Sequence, residues 1–306
     1  MRSLLLILIG SFFLSPPVAA NSKTTLPDEL VLSGDNVIAV EINGQPFQME
    51  VRPEAAEAPM LNPEVAQALQ LKPGMFGFVT LVGPEKVSGV SAVHKVDYGA
   101  GEQKQRIFWA SRASSTVANG TISPASLPYK RVKFLLGQAT AQEIIYRLPM
   151  DNFGFLGRYG MGTTVKAADQ KIMFQFSLER PETLVSAPTG NWLAENFGGT
   201  LSGPPKSTLI YYGIERPTRS MVLATEIPVG DFRLSNVDVR VTDYGNASGI
   251  AEQGIQADDT QEIIVTGKRD KDIDLRIVAG RGFLSGCSSL LYDLEKREIA
   301  VSCAVK

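Results

Sequence analysis

Two short polar runs hold the residues best placed for chemistry. Arg52-Pro53-Glu54-Ala55 follows the apolar-rich run Phe47–Val51, and Glu179-Arg180-Pro181-Glu182 follows Phe174–Leu178. Paired carboxylates can act as general acid and base, sharing one proton when brought together. A guanidinium cannot take that part, because it keeps its proton at any ordinary pH. Little other chemistry is open. One histidine and two cysteines in 306 residues exclude a His-rich metal centre and a Cys₄ or Cys₂His₂ zinc site. His94 shares a face with Ala92 and Val96 in an alternating run and reads as a strand histidine rather than a base. A Gly-x-Ser-x-Gly elbow is missing. Gly280–Gly286 has the wrong spacing for a dinucleotide fingerprint and runs into a strand rather than a helix. No cofactor and no metal site are therefore expected. Thirty Lys+Arg against 32 Asp+Glu leave a net charge of −2, which offers nucleic acid no electrostatic footing.

The elements that must position these residues are mostly strands. Val37–Ile42, Phe47–Val51, Val90–Val96, Arg106–Ala110, Arg131–Leu136, Ile172–Leu178, Ser207–Tyr212, Met221–Leu223, Val237–Val241, Asp274–Val278 and Ile299–Val301 are short β-branched or aromatic runs, separated by Gly, Pro, Asn and Asp. Asn43-Gly44 is a hairpin turn. Two short helices are predicted. One runs from Asn62 as cap through Pro63 to Leu69, and the other lies over Gly190–Gly198 and is closed by its glycine. Strand, Arg-Pro-Glu, loop and helix thus occur twice, which points to a duplication. The boundary is expected in the Gly-rich stretch between Met150 and Asp169. This gives an N-terminal lobe over 31–150 and a C-terminal lobe over 169–306, with a polar insertion at about 253–272.

Residues 1–20 read as a secretory signal peptide: Arg2, the apolar run Leu4–Leu14, then Val18-Ala19-Ala20. No later run is long enough to span a membrane, so a periplasmic or secreted protein is expected. In that setting Cys287 and Cys303 are expected to pair. A three-residue loop over Leu294–Lys296 sets them opposite each other in a hairpin, and the bridge would stabilise the fold by about 3 kcal/mol. Inside the polar insertion, Gln261–Arg269 encloses the β-prone core Ile263-Ile264-Val265. It resembles the TonB box of outer-membrane transporters, which implies edge-strand pairing with a periplasmic partner.

The order of motifs resembles the retropepsin-like and pepsin-like aspartic peptidase superfamily. Ile42-Asn43-Gly44-Gln45-Pro46-Phe47 is similar to the family's opening hairpin, and Leu61–Leu71 to the loop and helix after its catalytic corner. Gly120–Pro128 and Ile277–Leu284 are similar to its two hydrophobic–hydrophobic–Gly elements, with Ser123 in place of the first glycine. The run from Leu290 through Tyr292-Asp293 is similar to the last strands. The resemblance covers most of 37–136 and 171–303 and implies a mainly β, two-lobe duplication of barrel-like halves with short helices.

It also implies an Asp-Thr/Ser-Gly corner in each lobe, and neither is present. Arg52, Glu54, Glu179, Arg180 and Glu182 occupy the degenerate corners, so no catalytic residue is assigned. Three functions are then open. The first is a pseudo-peptidase that binds a peptide or protein between the lobes. The second is an active aspartic-type endopeptidase working with glutamates. The third is a structural envelope protein whose cleft is filled, the Arg and Glu residues forming a crossed salt-bridge network.

Overall fold

The computed structural model describes residues 26–154, 157–242, 250 and 275–305. Residues 1–20, the polar stretch 253–272 and Ile263–Val265 within it, read from the sequence as a signal peptide, an insertion and a partner strand, lie outside the described residues.

The first half contains β1 (Glu29–Leu32), β2 (Val37–Ile42), β3 (Gln45–Val51), β4 (Met60–Leu61), helix α1 (Pro63–Ala68), β5 (Gly77–Val82), β6 (Glu85–Asp97), β7 (Gln103–Ala110), β8 (Gly120–Ile122), β9 (Arg131–Leu135) and β10 (Glu143–Pro149). The second contains β11 (Asp151–Asn152), β12 (Met161–Ala167), β13 (Gln170–Phe176), β14 (Leu184–Val185), helix α2 (Ala187–Phe197), β15 (Thr200–Tyr211), β16 (Ile214–Val229), β17 (Phe232–Arg240), β18 (Arg276–Ala279), β19 (Cys287–Asp293) and β20 (Glu298–Ala304).

The duplication is visible in the pairing itself. In the first sheet the β2–β3 hairpin leads to β8 parallel to β3, β4 antiparallel to β8, β7 parallel to β4, and then β6 and β5. The second sheet repeats every step: the β12–β13 hairpin, β18 parallel to β13, β14 antiparallel to β18, β17 parallel to β14, then β16 and β15. The protein is thus mainly β and duplicated, with a short helix after β4 and another after β14. A third sheet, ordered β1-β9-β19-β20-β10, draws strands from both halves, with β9 and β19 antiparallel at its centre.

Alternation explains which residues fill the core. Val40 and Ile42 of β2, and Val132 and Phe134 of β9, point inward at two-residue spacing. The Asn43-Gly44 turn forms as expected, both residues having positive φ (52° and 75°).

Four local expectations change. Helix α2 begins at Ala187, three residues early, because the Ser186 hydroxyl accepts from the Thr189 N–H; Gly198 closes the helix at φ 65°. Asn62 precedes α1 but does not cap it. β12 lies within the Gly-rich stretch read as a boundary, so strands of the second sheet begin before residue 169. Finally, residues 294–297, not 294–296, connect β19 to β20, with Asp293 opposite Glu298. An irregularity between Cys287 and Ser289 then shifts the register, so that Cys287 still faces Cys303. The disulfide is formed.

Candidate functional site: the crossed corners

The corners are the points where β3 and β13 leave their parallel partners. The Arg52 N–H donates to Ile122 O at 2.9 Å, and the Ser177 N–H donates to Ala279 O at 2.7 Å. Both bonds continue the same ladder one residue beyond the strand, Val51 opposite Ile122 and Phe176 opposite Ala279. Arg52 is therefore equivalent to Ser177, and Glu54 to Glu179. The Arg-Pro-Glu repeat in the sequence is not a positional repeat, since Arg180 stands three residues past the place that matches Arg52. Ser177 escaped the sequence reading. The hydrophobic–hydrophobic–Gly elements could have found it, because Thr121-Ile122-Ser123 and Val278-Ala279-Gly280 set the offset between halves. Close backbone approach holds the second corner: a Cβ on Gly280 would lie 2.2 Å from Glu182 O.

The equivalent residues reach across to one another. Arg52 Nη1 lies 3.0 Å from Glu179 Oε2, and the Ser177 hydroxyl donates to Glu54 Oε1 at 2.8 Å. These are the same contact seen from either half, a donor at the corner and a glutamate two residues along the other chain segment. Each side is then extended. Arg52 Nη2 donates to Glu50 Oε2 at 2.8 Å, and that oxygen also accepts from the Ser115 hydroxyl at 2.5 Å. Arg180 Nη2 lies 3.2 Å from Glu179 Oε2 and donates to Ile210 O at 2.9 Å. Arg52, Glu54, Ser177 and Arg180 are all buried.

Electrostatics follows from that burial. Desolvation pushes the Glu54 carboxyl above the usual carboxylate range, against the pull of Arg52 and Arg180. Burial, joined by the Glu54 charge, raises the Tyr292 phenol as well. Glu54 Oε2 and the Tyr292 hydroxyl have no hydrogen-bond partner among the described residues. Burial opposes the Arg52 charge, but the Glu50 hydrogen bond and the charges of Glu179, Glu50 and Glu54 outweigh it and raise the Arg52 pKa. Glu179 Oε2 is thus engaged by two guanidinium groups, and Glu54 Oε1 by the Ser177 hydroxyl.

Glu182 does not join the corners; it lies 3.4 Å from Lys206. His94 sits in β6, its Nδ1 3.3 Å from Asn43 Nδ2. The β5–β6 and β15–β16 hairpins also meet. One apolar cluster takes in Val82, Val87 and Ala110 from the first sheet and Leu184, Ile210 and Ile214 from the second. Val82 and Val87 flank the β5–β6 turn, and Ile210 and Ile214 flank the β15–β16 turn, which is the equivalent place in the other half. All four are buried. A cavity of about 280 Å³ exists elsewhere, between Arg147–Pro149, Thr163–Lys166 and Pro228–Gly230, and touches neither corner.

No protein-family model matches the chain, and no curated protein matches it. Among solved structures, the aspartic proteinase from Irpex lacteus is similar at 12% identity, over 88% of this chain and 94% of its own, with a TM-score of 0.40.

Proposed function

We propose that the chain is an exported, non-hydrolytic relative of the aspartic peptidases whose cleft is filled by its own residues, and that it serves as a rigid structural or scaffolding protein of the envelope or the secreted space. The contact between Arg52 and Glu179 carries this reading: a cation stands at a corner where hydrolysis would need an acid, and the equivalent Ser177 supplies none. The meeting of the two hairpins supports it, because a peptide lying between the lobes would have to displace Val82, Val87, Ile210 and Ile214. That same packing weakens the reading in which a peptide binds in the cleft. Working glutamates fare no better, since Glu54 and Glu179 are each held by a donor from the opposite corner.

Export is supported by the pattern of residues 1–20 and by the Cys287–Cys303 bridge. No helix among the described residues is long and apolar enough to cross a membrane. The test is hydrolysis of casein and of a mixed peptide library from about pH 3 to about pH 8. No pepstatin-sensitive cleavage is expected. Cleavage that pepstatin blocks and that Glu54→Gln abolishes would overturn the proposal.

A further inference from the structure

The two sheets end on equivalent edge strands, and the edges are guarded unequally. β15 carries Gly203-Pro204-Pro205-Lys206, and its register with β16 breaks between Ser202 and Lys206. Proline removes ladder donors and a bulge bends the edge away, both of which deter strand addition. β5 reads Gly77-Phe78-Val79-Thr80-Leu81-Val82, with no proline and no charge, and among the described residues β6 is its only partner in the sheet order. Val79 is 59% exposed and Leu81 is 49% exposed.

The turn fixes which backbone groups are free. β5 and β6 are joined by the two-residue turn Gly83-Pro84, with Val82 opposite Glu85. A two-residue turn closes on a hydrogen-bonded pair, and bonded pairs then alternate down the hairpin. Thr80 opposite Val87 and Phe78 opposite Gly89 are therefore bonded pairs. The N–H and C=O groups of Gly77, Val79 and Leu81 face away from β6.

We propose that β5 is a self-association edge, which pairs antiparallel with β5 of a second copy about a twofold axis through Thr80. In that register Val79 faces Leu81 of the second copy, so residues with free N–H and C=O groups meet as bonded pairs. Thr80 faces its own counterpart and Phe78 faces Val82. The register is self-complementary, and the charge pattern favours a second copy as the occupant over a charged strand. β5 brings no charge to its mirror image. Lys86, opposite Leu81 on β6, would share its row across the joined sheets with Val79 and Ser88 of the second copy, so no like charges become neighbours. One six-residue strand per copy gives a small contact, and hence a weak, concentration-dependent dimer.

Sedimentation velocity of the chain without residues 1–20, over a range of concentrations, tests this. A monomer–dimer equilibrium is expected, with Val79→Lys shifting it to monomer. Both native cysteines are bonded to each other, so an introduced cysteine supplies the one free thiol and reports register without a large change in fold. Thr80→Cys should give a disulfide-linked dimer on mild oxidation, and Ser88→Cys on β6 should not. Monomer at every concentration, a dimer that survives Val79→Lys, or equal cross-linking at both positions would each overturn the proposal.

Discussion

The two corners share a backbone and differ in chemistry. Arg52 and Ser177 hold the same rung of the same parallel ladder, one a buried cation and the other a buried hydroxyl. Each donates to the glutamate two residues along the opposite corner. Pairing and inward-facing alternation set the position of the corner, and neither depends on the polar side chain placed there. The chemistry of a duplicated fold can therefore change one half at a time while the cross-connection survives. The first corner supplies charge to that connection and the second supplies only a hydroxyl, so the two links should differ in strength.

The sharpest way to break this comparison is Arg52→Ala. It strips from the buried Glu50 its one guanidinium partner among the described residues and leaves it the Ser115 hydroxyl, while Glu179 keeps Arg180, at an expected cost of about 3 kcal/mol in denaturant unfolding. A loss under about 1 kcal/mol would mean that the corner is not the junction described here. A second comparison lies at the helix starts. Asn62 and Ser186 precede α1 and α2 at matching positions. Ser186 caps its helix, whereas the Asn62 side chain accepts from the Ser114 and Ser115 N–H groups and donates to the Ser115 and Ala118 carbonyls. Asn62→Ala should cost about 2–3 kcal/mol and Ser186→Ala about 1 kcal/mol, by the same unfolding measurement. Equal costs would erase the distinction.

The smallest effect concerns pH. The folded-state pKa of Glu54 is raised, so its contribution is fully present below the ordinary glutamate range and is lost as pH rises through the raised value. Glu54→Gln keeps an acceptor for Ser177 and removes the ionisation. The variant's thermal midpoint should therefore climb relative to the native chain between about pH 4 and about pH 8, and the difference should vanish on the acid side. A flat difference would show that the Glu54 carboxyl ionises at its ordinary value.

Local chemistry made part of this legible. β2 was readable to its exact ends from its β-branched alternation, the Asn43-Gly44 turn from its dipeptide, and the start of α1 from Pro63. The run Ser207–Tyr212 misses the first seven residues of β15 and overruns its end by one, because Gly203-Pro204-Pro205 signals a turn anywhere but on a sheet edge. The start of α2 was missed although Ser186-Ala187-Pro188 carries a cap and an early proline. Ser177 gave no signal of its own. A serine at a strand end acquires a role only when another half of the chain delivers Glu54 to it.

The sequence alone determined the β-rich duplication and the want of an Asp-Thr/Ser-Gly corner, because periodicity and residue type are local properties. That Cys287 and Cys303 are the two cysteines is equally local, but the irregularity in β19 that sets them opposite each other is not. Tertiary structure decided that Arg52 corresponds to Ser177 rather than Arg180, that Glu182 turns away to Lys206, and that the β5–β6 and β15–β16 hairpins pack together. Those outcomes depend on strand register between segments more than a hundred residues apart, which interstrand hydrogen bonds and burial select and which no single run of residues encodes.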